Sequence, residues 1–188
     1  MGFTRAELLS FADREVDDLI GPHCRLLFVG INPGLWTAAV GAHFARPGNR
    51  FYPALLRAGI VDRLIDASDG MSDDDRDHLI DRGVGITNIV SRATTTAAEL
   101  SADELAAGGR TLLDRVSEVG PTVVAVAGIT AFRAAFGDRH AQAGPQARTW
   151  GTAQVWVVPN PSGLNAHETA DSLAAAYRRA AQAAGVVT

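Results

Sequence analysis

Short apolar runs alternate along this chain with longer stretches in which apolar residues recur every three or four positions. The runs are too short for helices and are bounded by turn residues, so they read as buried strands. They fall at Arg25 to Gly30, at Val84 to Val90 (strand passing into loop), at Thr122 to Ala127, and at Val155 to Val158. Between them the period lengthens. Ala6 to Ile20 carries Leu8, Leu9, Phe11, Val16, Leu19 and Ile20, an imperfect helical stripe. Phe51 to Ala58 predicts a short helix with Leu55 and Leu56 apolar, and Ser72 to Asp81 a helix with Leu79 and Ile80 turned inward. Ser101 with Glu104 forms a capping-box pattern, followed by a face of Leu105, Leu112, Leu113 and Val116. Ile129 to Phe136 predicts another helix, and Arg148 to Thr152 reads as loop. Asn165 with Glu168 repeats the capping-box pattern ahead of a final helix with Leu173, Tyr177, Ala180 and Ala184 on one side. Strands alternating with helices predict an α/β fold, a parallel sheet covered on both faces.

Composition narrows this picture. With 188 residues, 47% of them hydrophobic, one domain over 1–188 is expected, and no repeat, linker or low-complexity tract divides it. No run approaches the roughly 18 apolar residues of a membrane span, and the N-terminal segment lacks an apolar signal core. No membrane partner is expected. A single cysteine, Cys24, excludes an internal disulfide framework and a four-cysteine iron–sulfur or zinc site, and reads as a packed thiol. No metal or cofactor is expected. The net charge of −4 does not advertise a nucleic-acid binder. Its distribution says more. Residues 62 to 82 hold eight Asp and three Arg; removing these from 21 acids and 17 bases leaves 13 and 14. The acidic stretch reads as a solvated helix surface, and the remaining arginines are free to form a local basic face. All 17 basic residues are Arg. Arginine stays protonated and forms no Schiff base, so covalent lysine chemistry is excluded.

Two strand ends carry the candidate chemistry. The first strand runs into Gly30-Ile31-Asn32-Pro33-Gly34-Leu35-Trp36, with Phe44-Ala45-Arg46-Pro47-Gly48-Asn49-Arg50-Phe51 following. The last strand ends in Pro159-Asn160-Pro161-Ser162-Gly163-Leu164-Asn165. A polar residue at the C-terminal end of a parallel strand sits where open α/β sheets bind ligands. Taken alone, the motif favours reading Asn32 as a turn former; the second loop changes that balance.

Together the two loops resemble the two signature motifs of the uracil-DNA glycosylase superfamily, most closely those of the mismatch-specific uracil-DNA glycosylase and thymine-DNA glycosylase family. The likeness covers Leu26 to about Gly59, Gly83 to Arg92, and Val155 to Glu168, in the expected order. It implies a three-layer α/β/α sandwich around a small, mainly parallel sheet. It also implies a monofunctional glycosylase that hydrolyses the N-glycosidic bond of uracil mispaired with guanine in duplex DNA, leaving an abasic site. The implied partner is double-stranded DNA bearing a mismatched or damaged base. A monomer in the cytoplasm, with the chromosomal DNA, is expected.

By this resemblance Asn32 holds the place of the water-directing residue. A neutral amide cannot act as a carboxylate base, but its oxygen can orient a water. Phe44 matches an aromatic that stacks on the extruded base, against a plain core role. Ile31 falls where main-chain donors meet the base, and His43 lies beside the pocket. Asn88 matches a pocket Asn of the thymine-active branch, against a loop-capping role. Asn160 and Ser162 line the site and hold phosphate. Gly163, Leu164 and Asn165 resemble the wedge that fills the hole left by the flipped base. Alternatively, Asn165 caps the last helix and Leu164 staples it. Some relatives carry Arg where this chain has Ala166, followed by His167. Rival functions are a superfamily glycosylase for other deaminated or alkylated bases, a non-catalytic damage-binding module, and an α/β enzyme acting on small nucleotides. The missing P-C-x-x-C excludes a zinc deaminase.

Overall fold

The computed structural model describes residues 2–188. Five strands form one sheet: β1 (Leu26–Gly30), β2 (Val84–Asn88), β3 (Val123–Ala127), β4 (Gly144–Trp150) and β5 (Ala153–Val158). Their order is β2-β1-β3-β5-β4; all neighbours are parallel except β4, which runs antiparallel along β5 at one edge. Among the described residues seven α-helices accompany them: α1 (Arg5–Leu9), α2 (Leu35–Val40), α3 (Phe51–Arg57), α4 (Asp73–Asp81), α5 (Ala102–Val119), α6 (Ile129–Phe136) and α7 (Ala170–Ala183).

The continuous apolar strands follow from this layering. Successive side chains point to opposite faces, and both faces are covered. Leu26 and Phe28 join a core with α3, α4 and α7, whereas Leu27 and Val29 join one with α5 and α6. The expected α/β class, a mainly parallel sheet flanked by helices, is therefore the observed one. The expected capping box at Ser101–Glu104 forms, and Ser72 caps α4, its hydroxyl accepting from the Asp75 N–H.

Several local expectations fail for physical reasons. The stripe over Ala6 to Ile20 is helical only through Leu9. Asp13 takes a left-handed backbone (φ 63°), and Leu19 instead pairs antiparallel with Ile86, covering the free edge of β2. Arg148 to Thr152 is mostly strand. β4 is a solvent-facing edge with polar residues and a register break, so it lacks an apolar signal. Leu113, expected in the core, is 38% exposed on α5. The capping box ahead of α7 is Thr169 with Ser172, not Asn165 with Glu168. The six-residue α2 was not anticipated; Gly41 ends it in a left-handed turn (φ 66°).

Candidate active site

The strand order reverses between β1 and β3, which places a crevice at their C-terminal ends. A cavity of about 210 Å³ opens there. Ile31, Asn32, His43, Phe44, Asn88, Asn160, Ser162 and Leu164 all line it, although they come from four separate stretches of sequence. Gly163 and Asn165 do not. Gly163 faces a neighbouring groove beside Arg46–Asn49, and Asn165 a second hollow beside Ile129.

Asn32 follows β1 directly and is held by one end. Its Nδ2 donates to the Arg92 carbonyl at 2.9 Å, the Pro33 carbonyl at 3.2 Å and Thr94 Oγ1 at 2.7 Å. Two of these partners are carbonyls, which can only accept, so the amide cannot be turned over. The Thr94 hydroxyl spends its own proton on the Thr96 carbonyl at 2.8 Å, which leaves it an acceptor toward Asn32. Among the described residues no donor reaches Asn32 Oδ1. The Arg92 side chain in turn holds Asp13 at 2.8 Å and Glu104 at 2.9 Å, fixing the loop that carries these acceptors. Sequence reasoning singled out neither Arg92 nor Thr94 as a partner of Asn32, because both reach it from a separate loop.

Opposite the β1 end, Phe44 is half-buried and stacks on Phe51 with centroids 4.1 Å apart and planes at 24°. Its φ of 54° is a strained value for a bulky residue. The strain aims the ring at Gly30. A Cβ on Gly30 would lie 3.3 Å from Phe44 Cζ and 2.5 Å from Asn88 Oδ1, so only glycine leaves this floor open. Parallel register sets Asn88 beside Gly30.

His43 is buried and has both ring nitrogens engaged. Nε2 lies 3.0 Å from the Asp17 carbonyl and Nδ1 lies 3.3 Å from Asn88 Nδ2. The Asp17 carbonyl requires the proton on Nε2, so the neutral ring accepts from Asn88 at Nδ1. Burial lowers the His43 pKa, although the Asp17 carbonyl and the Asp18 carboxylate pull the other way. The neutral ring thus fixes the Asn88 amide with its oxygen toward the cavity floor.

The second loop closes the site from the β5 side. Asn160 Oδ1 accepts the Ser162 N–H at 2.9 Å, and Ser162 Oγ accepts the Leu164 N–H at 3.3 Å. Asn165 Nδ2 donates to the Asn160 carbonyl at 3.2 Å. Asn165 is therefore a loop brace rather than a helix cap. Leu164 is 74% exposed and five residues short of the α7 cap, which excludes the staple. Gly163 lies against the first loop so closely that a Cβ there would meet the Gly48 carbonyl oxygen at 2.7 Å.

A switch-point crevice, an amide pinned at a strand end, an aromatic wall and an exposed apolar tip thus meet at one end of the sheet. Comparison with known proteins gives the family. The chain belongs to the uracil DNA glycosylase superfamily, whose family model matches residues 18–183. Membership makes it a DNA glycosylase, a hydrolase of N-glycosyl bonds acting on DNA. Among solved structures it is similar to the solution NMR structure of a proposed uracil DNA glycosylase from Methanosarcina acetivorans. The two are 14% identical, with a TM-score of 0.59, over 89% of this chain and 97% of that one. At that identity the likeness concerns the fold.

Proposed function

We propose that this protein is a monofunctional, mismatch-specific uracil-DNA glycosylase that removes uracil opposite guanine in duplex DNA. The observation that carries this reading is Asn32, whose Nδ2 is anchored three times while Oδ1 is left free at the cavity. Base loss passes through an oxocarbenium-like sugar and a uracil anion. Asn32 Oδ1 accepts a hydrogen bond from the attacking water and directs its lone pair at C1′. The water's oxygen forms the new bond as the C–N bond breaks with its electron pair leaving on the base. Among the described residues no carboxylate lines the cavity, so the water's proton passes to the departing uracil anion, directly or through solvent, and the contribution of Asn32 is orientation. Phe44 covers one face of the base, and Asn88 Oδ1 accepts from its ring N–H.

A catalyst that only orients water gains most where the base comes out of the helix cheaply. A mismatched base costs less to unstack and extrude than a paired one, which favours uracil opposite guanine. The test is a single-turnover excision assay on duplexes with uracil opposite guanine or adenine, and with thymine, hypoxanthine or ethenocytosine. The reading expects the guanine–uracil duplex to be cut fastest. A faster rate on hypoxanthine or ethenocytosine would move the assignment to another damaged base, and binding without cutting would make the protein a damage sensor.

Two further results are expected. Since the chain has no lysine, borohydride should trap no enzyme–DNA adduct, and the strand should stay intact until alkali is added; a covalent adduct seen by mass spectrometry would contradict a monofunctional mechanism. Phe44→Ala should lose base stacking of about 1–3 kcal/mol in the barrier, roughly 5- to 150-fold in rate. Unchanged excision by a folded variant would return Phe44 to a packing role.

A further inference from the structure

Arg50 lies outside the cavity lining, immediately before α3, yet its side chain is the centre of the second loop. Nη2 donates to the carbonyls of Ser162 and Asn165, each at 2.6 Å, and Nη1 donates to the carbonyl of Glu168. The Arg50 backbone N–H adds the Pro161 carbonyl at 3.0 Å. One residue thus gathers four carbonyls from a stretch of loop remote in sequence. Among the described residues no carboxylate forms an ion pair with it, so its charge is met by peptide dipoles. Its Nε is buried and has no hydrogen-bond partner.

The consequence lies on the other side of the same peptides. In a trans peptide the N–H points opposite to the C=O, and the described chain has no cis bonds. Carbonyls drawn inward turn their paired N–H groups outward. The partner of the Pro161 carbonyl is the Ser162 N–H, spent on Asn160 Oδ1. The partner of the Glu168 carbonyl is the Thr169 N–H, spent on Ser172 Oγ at 2.9 Å. The partners of the Ser162 and Asn165 carbonyls are the Gly163 and Ala166 N–H groups. Both residues are exposed, on either side of Leu164, and neither N–H has an acceptor among the described residues.

We infer that Arg50 is the positioning residue of the wedge loop: a partly buried cation that draws the loop carbonyls inward and so presents the Gly163 and Ala166 N–H groups to DNA phosphate oxygens beside Leu164. This rests on the glycosylase reading for its ligand. The planar fork matters, because a lysine ammonium is a point charge and cannot span the same carbonyls in fixed geometry.

Arg50→Gln and Arg50→Lys test the inference. Single-turnover uracil excision is measured on a guanine–uracil duplex and on single-stranded DNA. Melting temperature, affinity for a duplex with an abasic-site analogue, and the rate of chymotryptic cleavage at Leu164 are measured alongside. Arg50→Gln is expected to lose at least tenfold more rate on the duplex than on the single strand, to bind the abasic duplex more weakly, and to be cut faster at Leu164. Arg50→Lys should restore part of the duplex-to-single-strand ratio. Equal losses on both substrates, tracking a lowered melting temperature, would overturn the inference, and so would unchanged rates on both. If Arg50→Gln does not fold, Arg50→Lys carries the same comparison. If the wild-type protein excises no uracil from either substrate, the glycosylase reading fails; duplex affinity and Leu164 cleavage still decide whether Arg50 holds the loop.

Discussion

Asn32→Ala is expected to lower uracil excision by about 100-fold or more while leaving duplex affinity nearly unchanged, because misplacing a reactant by an ångström has costs of that order. The side chain is small and the cavity around it is partly open, so the truncated protein has room to fold. It loses the oxygen that orients the water and three hydrogen bonds, two of which tie the end of β1 to the 92–94 loop. Single-turnover rates at saturating enzyme separate these losses from weakened binding. Wild-type excision by Asn32→Ala would remove Asn32 from the mechanism. A second substitution probes the anchoring. Asn32→Asp supplies a carboxylate, but places an oxygen where the amide nitrogen now faces the carbonyls of Arg92 and Pro33. Repulsion between those lone pairs raises the carboxyl pKa and favours the protonated acid, which can still donate once. The Asp variant is thus expected to be slower than wild type near neutral pH. A faster enzyme would mean that the neighbouring carbonyls do not control this position.

The sequence shows where the chemistry gathers more clearly than how it is held. Strands β1 and β3 were legible because burial on both faces makes each a short apolar run, β5 through its Val155–Val158 stretch, and β2 as an apolar start passing into the polar Thr87 and Asn88. β4 was not, since its exposed edge position leaves no such pattern. Asn32, Phe44, Asn88 and Leu164 were legible through their place in two strand-end loops. Their supports were not. Arg92 and Thr94 reach Asn32 from another strand end, and Arg50 reaches its loop carbonyls across more than a hundred residues. Such contacts obey no local period, and backbone carbonyls carry no residue label to read. The tautomer of His43 is likewise set by the Asp17 carbonyl, a partner invisible in the spelling of the chain. The failed helix over Ala6 to Ile20 has the same origin: the free edge of β2 needed a backbone partner, and that tertiary demand overrode a weak stripe.

Leu164→Ala is expected to slow excision most on an adenine–uracil pair, less on a guanine–uracil mismatch, and least on single-stranded DNA. Leu164 presents its side chain to solvent at the tip of a braced loop, 74% exposed, with the Gly163 peptide pressed against Gly48 behind it. An apolar group held out in water by a rigid support stabilises nothing in the free protein. Its burial must come on binding, and burying a leucine is worth about 1.5–3 kcal/mol. Alanine keeps a fraction of that, so the expected loss on the paired substrate is roughly ten- to thirtyfold. The gradient follows from what the wedge replaces. Extracting a paired uracil leaves the larger deficit in stacking and hydrogen bonding, a mismatched uracil leaves less, and a single strand leaves no hole at all. The melting temperature should not move, since the side chain packs on no helix. Single-turnover rates on the three substrates, with thermal unfolding of both proteins, decide the matter. Equal losses on all three would sink the wedge, and a lowered melting temperature with unaltered rates would assign Leu164 to folding.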